Sequence, residues 1–249
     1  MDRSTILEPL KHLKKEFAGD IFTDNASRIQ YATDASAYRE LPLAIARPRN
    51  KSDIKKLVLF AGKHKAPLIA RGAGTSLAGQ VVGNGIVVDI SRYMNKILEI
   101  NTEEKWAMVE PGVVLDELNM EVAKHGLFFG PETSTANRCV MGGMVGNNSC
   151  GAHSLLYGST REHTLELDVV MSDGSEATFG PVSKDEFETK LSGDKPENKV
   201  YQNIARILTK SENREEIEKE FPDPKVERRN TGYALDLLAQ SEPFNSGKE

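Results

Sequence analysis

RGAGTSLAGQ, Arg71 to Gln80, is the stretch whose reading decides the fold, and PETSTANRCVMGGMVGNNSCG, Pro131 to Gly151, is its counterpart further along the chain. Gly72, Gly74, Gly79, Gly142, Gly143 and Gly151 lack a Cβ, so the backbone there can adopt positive φ and bring its N–H groups close to an anion. Thr75, Ser76, Thr133, Ser134 and Thr135 add hydroxyl donors. A non-glycine residue in the left-handed region costs about 1–2 kcal/mol, so repeated glycines flanked by hydroxyls point to a backbone anion site. Either loop alone also reads as a glycine turn. Together they form a two-sided clasp suited to a dinucleotide, with a pyrophosphate as the anion.

The first loop is not the G-x-G-x-x-G fingerprint, because Gly79 comes too late and no helix of small residues follows. It is not a Walker A loop either, since no Gly-Lys-Ser/Thr closes it. Upstream, Ala44 to Ala46 reads as a strand closed by Pro48, and SDIKKLVLFAGKHK as a helix with Ser52 as its N-cap and Ile54, Leu57, Val58 and Ala61 on one face. PLIARG is a second strand. This strand, helix and strand make a βαβ unit that delivers the first loop to the carboxyl edge of a parallel sheet, where α/β folds bind ligands.

Further upstream, Ile6, Leu7, Leu10, Leu13 and Phe17 recur at helical spacing, and YATDASAYRE reads as polar and irregular. Downstream, GIVVDIS and KWAMVEPGV read as strands with NTEEK as a hairpin turn. VLDELNMEVAKHG reads as an amphipathic helix ended by Gly126. LELDVVMSDGSEATFG is a hairpin turning at Asp173–Gly174, which makes the sheet mixed. From Pro181 to Lys225 charge dominates, and a helical excursion includes NKVYQNIARILTK.

The 249 residues are 39% hydrophobic and 28% charged, with a net charge of −5, which describes a globular chain without a nucleic-acid-binding surface. The charged N-terminus is not a signal peptide, and no stretch reaches the eighteen or so apolar residues needed to span a bilayer, so the expectation is a cytoplasmic protein with no transmembrane segment. Cys139 and Cys150 are too few for a disulfide framework or an iron–sulfur cluster. His12, His64 and His125 sit in expected helices beside lysines, and no histidine pair forms a metal set.

The two glycine loops, in this order and followed by GAHSLLYGSTREHTLELDVVMSDG, resemble the FAD-binding domain of the vanillyl-alcohol oxidase and p-cresol methylhydroxylase (PCMH) superfamily, in particular its D-lactate and glycolate dehydrogenase-type members. The resemblance spans about Ala44 to Leu238. It implies an α+β, PCMH-type fold of two α+β subdomains with FAD between them. The corresponding divisions are a lead-in (1–43), a first FAD subdomain (44–112), a second with the helical excursion (113–225, excursion 181–225), and the start of a substrate or cap domain (226–249). The resemblance places the pyrophosphate on Arg71, Gly72, Ala73, Gly74, Thr75, Ser76 and Gln80. It places the ribityl and isoalloxazine side on Pro131, Thr133, Gly142, Gly143, Asn148 and Gly151, a return turn at Tyr157 and Gly158, and the adenine near Val169 and Val170. Read on that basis, Met141, Met144 and Val145 supply an apolar wall for the flavin, and Asn147, Asn148 and Ser149 supply polar contacts.

Several members of the superfamily bind flavin covalently through a first-loop histidine. Here Thr75 and Ser76 stand in that loop, so the expected cofactor is non-covalent FAD. His153 and His163 read either as flavin hydrogen-bonding partners or as solvated turn residues. Arg228 and Arg229, in RRNTGYALDLL, read either as an anion clamp or as a helix-entry pair. The resemblance further implies hydride removal from a small-molecule 2-hydroxy acid, with an electron acceptor the sequence does not specify; an iron–sulfur domain of the full-length protein is one candidate. No catalytic residue and no metal ligand is assignable, because family members carry theirs in a cap domain beyond this segment, and the expectation is an FAD domain cut from a longer enzyme. Two alternatives stay open: the same fold in an alkyl-glycerone-phosphate synthase or a cell-wall reductase, and a non-catalytic nucleotide-binding module.

Overall fold

A computed structural model describes residues 3–223, 225–226 and 232–244. The chain is α+β and divides into two compact units, one of residues 1–164 with 172–174, the other of 165–171 with 175–249. Arg228 and Arg229 lie outside the described residues.

The first unit opens with helix α1 (Ser4–Glu16), which buries Ile6 and Leu10. Strand β1 (Asp20–Phe22) and helix α2 (Asn25–Gln30) follow. Strand β2 (Ala44–Arg47) leads to helix α3 (Lys51–His64), then strand β3 (Leu68–Arg71) and strand β4 (Ile86–Asp89). These strands form one sheet in the order β1-β2-β4-β3, in which β4 runs parallel to both β2 and β3, and β1 pairs antiparallel with β2. The expected βαβ unit therefore exists with a strand inserted, since β4 lies between β2 and β3. GIVVDIS does not join the hairpin, because its apolar run Ile86–Asp89 is buried throughout and forms the centre of this sheet. Ile6, Leu10, Ile21, Ala44, Leu57, Ile86 and Val88 share one core cluster beneath it.

The N-cap of α3 is Asn50, whose side chain accepts from the Asp53 amide; Ser52 already lies inside the helix. Asp53 itself is 1% exposed. Its carboxylate accepts from the amides of Ala18 (3.0 Å), Gly19 (2.9 Å) and Arg49 (3.0 Å), which fastens the lead-in to the start of α3.

A second core cluster belongs to the following segment. Strands β5 (Ile97–Asn101) and β6 (Trp106–Val109) form an antiparallel hairpin. Helix α4 (Leu115–Val122) passes through a 3-10 turn to Gly126 at φ +71°, the expected left-handed stop. Val113, Leu115, Leu118, Val122, Cys139, Met141 and Met144 pack together, with Ile97, Ile100 and Val109 of the hairpin against them. Helices α5 (Met141–Asn147) and α6 (Ser154–Tyr157) complete this segment.

The second unit begins with β7 (Leu167–Val170) and β8 (Glu176–Phe179), the expected hairpin, turning through Gly174 at φ +83°. It forms its own two-stranded sheet, so the main sheet is mixed because of β1 and not because of this hairpin. Helices α7 (Lys184–Ser192), α8 (Pro196–Leu208), α9 (Ser211–Glu220) and α10 (Leu235–Ala239) follow, as the charged excursion implies. Phe179, Phe187, Tyr201 and Phe244 make its aromatic contacts.

Candidate functional site

The first loop leaves the carboxyl end of β3, as the βαβ reading requires. Gly74 sits at φ +69°, and a Cβ there would stand 2.5 Å from the Arg71 guanidinium. Among the described residues, the amides of Ala73, Gly74, Thr75 and Ser76 donate to no partner. Four successive unpaired N–H groups around a left-handed glycine form a concavity suited to an anion. The Ser76 hydroxyl oxygen accepts at 3.4 Å from the amides of Ala78 and Gln80, which curls the end of the loop.

Arg71 is tied to the lead-in. Its Nη1 donates to the Thr33 carbonyl at 2.9 Å, and its guanidinium lies over the Tyr31 ring with its carbon 5.2 Å from the centroid.

The second loop reaches the first. A Cβ on Gly72 would collide with the Val140 side chain, so only glycine allows the start of the first loop to touch the N-cap of α5. Gln80 Nε2 donates to Asn147 Oδ1 at 3.3 Å. The expected contact residues of the first loop, Arg71 to Ser76 and Gln80, are thus brought against α5, the helix that carries Gly142, Gly143 and Asn147.

Helix α5 presents two faces. Met141 and Met144 point into the core, 7% and 1% exposed, and do not form the expected flavin wall. Hydrophobic pairing with α4 and the β5–β6 hairpin claims them, because the helix needs one apolar face buried. The opposite face carries Gly143, Gly146 and Asn147, all exposed. A Cβ on Gly146 would meet nothing within 4 Å. Glycine inside a helix costs about 1 kcal/mol relative to alanine, and no contact within the described residues requires it here.

Several remaining site residues are committed to the chain itself. Asn148, left-handed at φ +46°, accepts through Oδ1 from Ser159 Oγ and the Arg161 amide, both at 2.9 Å. Thr133 Oγ1 lies 3.2 Å from Cys139 Sγ. A Cβ on Gly151 would overlap the Glu132 carbonyl, so Gly151 joins the two ends of the second loop next to Pro131. Tyr157 packs edge-on against Phe128, and Gly158 turns the chain at φ +72°. His153 Nδ1 pairs with Glu132 Oε2 at 2.5 Å, and His163 Nε2 lies 2.6 Å from the Tyr157 carbonyl. Val169 and Val170 lie on β7 of the second unit. Neither Cys139 nor Cys150 is in a disulfide. No group of three or more metal-ligating side chains and no helix long and apolar enough to cross a membrane occurs among the described residues.

The segment Tyr31 to Tyr38, polar and irregular in sequence, carries contacts to the first loop that its local pattern does not announce. The Ala35 amide donates to the Gly74 carbonyl at 3.0 Å, and the Tyr38 ring packs on Gly79. Two tyrosines in an otherwise polar stretch were the available signal.

Comparison with known proteins agrees with this geometry. The chain is 41% identical to the D-2-hydroxyglutarate dehydrogenase of Pantoea ananatis across 93% of its own length, and spans 22% of that relative. It is 36% identical to the glycolate oxidase subunit GlcD of Bacillus subtilis across 65% of its length, spanning 35% of that relative. Its fold is shared with p-cresol methylhydroxylase, at a TM-score of 0.61 and 17% identity over 70% of this chain and 35% of that one. The α+β, PCMH-type fold implied by the two loops is the observed one. A family model described as an FAD binding domain matches residues 42–180, more than half of the chain, and the protein belongs to that family.

Proposed function

We propose that this chain holds FAD non-covalently and serves as the flavin-binding part of an oxidoreductase that takes a hydride from a D-2-hydroxy acid, with D-2-hydroxyglutarate the favoured substrate. The observation that carries the cofactor is the row of four unpaired amides at Ala73 to Ser76 beside the bare glycine face of α5. The first suits a pyrophosphate and the second a planar ring system, and FAD contains both. The substrate class rests on the relatives. The dehydrogenase named for D-2-hydroxyglutarate aligns with nearly the whole chain, whereas the glycolate oxidase subunit aligns with about two-thirds of it.

FAD would supply hydride acceptance at its N5 atom. The residues of this chain bind and orient it. Amides 73–76 hold the diphosphate, Gln80 and Asn147 lock the two loops against each other, and Gly143 and Gly146 allow close approach. Arg71 and the Asn148 side chain hold the surrounding backbone. Thr75 and Ser76 offer no imidazole for a covalent link, and the Cys139 thiol is buried against Thr133.

Reconstitution tests both halves. The protein should take up one FAD with the visible absorbance of a flavoprotein and bind FMN far more weakly. Within the longest reading frame that contains this chain, anaerobic addition of D-2-hydroxyglutarate should bleach the flavin faster than D-lactate or glycolate. Equal affinity for FMN and FAD removes the cofactor reading, and bleaching by none of the three acids removes the substrate reading.

A further inference from the structure

Strands β2, β3 and β4 end in Arg47, Arg71 and Asp89, and all three side chains converge on one residue of the lead-in, Tyr31. The phenol donates to Asp89 Oδ2 at 2.6 Å. It accepts from Arg47 Nε at 3.1 Å and from Arg47 Nη2 at 2.8 Å. The Arg71 guanidinium covers the ring and reaches past it to the carbonyl of Thr33. The hydroxyl thus uses its donor and both acceptor positions. Asp89 is 6% exposed, and its other oxygen accepts from the amide and hydroxyl of Ser91.

From this anchor the chain runs directly over the first loop. The Ala35 amide donates to the Gly74 carbonyl at the one residue of the loop with positive φ before Gly79. Tyr38, a residue 63% exposed, rests its ring on Gly79, where a Cβ would stand 2.7 Å from the ring. Asp34 is placed between, with Oδ1 capping the Ser36 amide at 2.8 Å and Oδ2 shielded from solvent without a hydrogen-bond partner.

Resting on the FAD reading above, we propose that Tyr31–Tyr38 is a strap that sets the shape of the diphosphate loop, and that Tyr31 is its positioning residue, fixed by the ends of the three parallel strands. Unpaired amides at Ala73 to Ser76 bind an anion well only if their directions are set before it arrives, because ordering them on binding subtracts from affinity. The strap fixes them from outside through Gly74 and Gly79, and from below through Arg71. It precedes residue 42, so it lies outside the part of the chain that matches the family model.

Tyr31→Phe keeps the ring under Arg71 and removes the hydroxyl. Tyr38→Ala removes an exposed ring and leaves the core untouched. Each variant and the wild type would be titrated with FAD and with ADP, which carries the diphosphate without the flavin, and their melting temperatures recorded without ligand. Amide hydrogen exchange of the wild type, with and without FAD, would be followed over residues 31–38. The expected result is an affinity loss of about tenfold for FAD and ADP alike in each variant, the scale of one hydrogen bond or packing contact, with Tyr38→Ala melting as the wild type does. FAD should also slow exchange at the Ala35 amide. Wild-type affinity in both variants, or exchange at residues 31–38 indifferent to FAD, overturns the strap. A wild type that binds neither FAD nor ADP overturns the flavin reading, and the strap's role with it.

Discussion

Gln80 Nε2 and Asn147 Oδ1 meet at 3.3 Å, joining the end of the first glycine loop to the exposed face of α5. The contact is exposed, and its modest length makes it a latch more than a stabilising bond. Its consequence is geometric, because it ties the loop that carries the unpaired amides 73–76 to the glycine face of α5. Asn147→Ala should leave the melting temperature within about 1 °C, since surface changes usually fall within about 0.5 kcal/mol, yet weaken FAD severalfold. Calorimetric titration beside thermal melting checks it.

Gly74→Val should abolish FAD binding. The residue stands at φ +69°, where a β-branched side chain is strained by roughly 1–3 kcal/mol, and its Cβ would press on the Arg71 guanidinium. Flavin fluorescence titration should show a loss of at least about a hundredfold; retention of wild-type affinity would remove this loop from the site.

Gly146→Ala should move stability and binding in opposite directions. The added methyl meets nothing within 4 Å, so the helix gains up to about 1 kcal/mol and the melting temperature of the ligand-free protein rises. On the proposed function the same methyl stands on the face assigned to the ring system, and FAD affinity should fall. A variant that is stabilised and binds FAD normally would show that this face is not the flavin surface.

FAD added to the protein should be released intact by acid. The precipitated polypeptide should weigh what its sequence predicts, by intact-mass spectrometry, with no adduct at Cys139 or Cys150.

Glu162 gives the protein an acid-sensitive point. Burial works to raise its pKa, but the Ser159 hydroxyl and amide and the neighbouring Arg161 together hold it below the ordinary value of 4.5. A carboxylate depressed in the folded state adds stability above its unfolded pKa and loses it as pH falls through the folded one. Wild type should therefore melt above Glu162→Gln at neutral pH, and the gap should close below about pH 4.5. With its side chain 45% exposed the effect is modest, and a gap unchanged down to pH 3 would assign the stability of this turn to other groups.

The sequence made the turns legible where chemistry leaves local marks, although of the six glycines singled out in the two loops only Gly74 and Gly79 take positive φ, while Gly72, Gly142 and Gly151 are glycine for close approach. Glycines at 74, 126, 158 and 174 all take positive φ, and Arg71 to Gln80 does follow a parallel strand. Long-range partners left no such mark. Nothing local in GIVVDIS shows that it inserts between β2 and β3, because a fully apolar run fits any buried strand. Met141 and Met144 read as a flavin wall since an apolar helical stripe looks the same whether it faces a cofactor or a core, and only the packing of α4 and the β5–β6 hairpin decides. The strap was read as irregular polar chain because its order comes from Arg47, Arg71 and Asp89, residues distant in sequence.

Asp53 gives the lead-in a significance that its distance from the glycine loops conceals. Two of the three amides that its carboxylate receives, those of Ala18 and Gly19, come from residues before position 42. Trimming the protein to the family boundary would remove two of the three amides on this carboxylate and open it to water, and a hydrogen bond to a charged group contributes about 1.5–3 kcal/mol. Two such bonds are a large part of what a domain of this size has to spare. Ile6, Leu10, Phe17 and Ile21 of the lead-in share the core cluster of the main sheet as well, so the first forty residues are an internal counterpart to the start of α3 and belong to the same packed body as the family-matched segment that begins at residue 42.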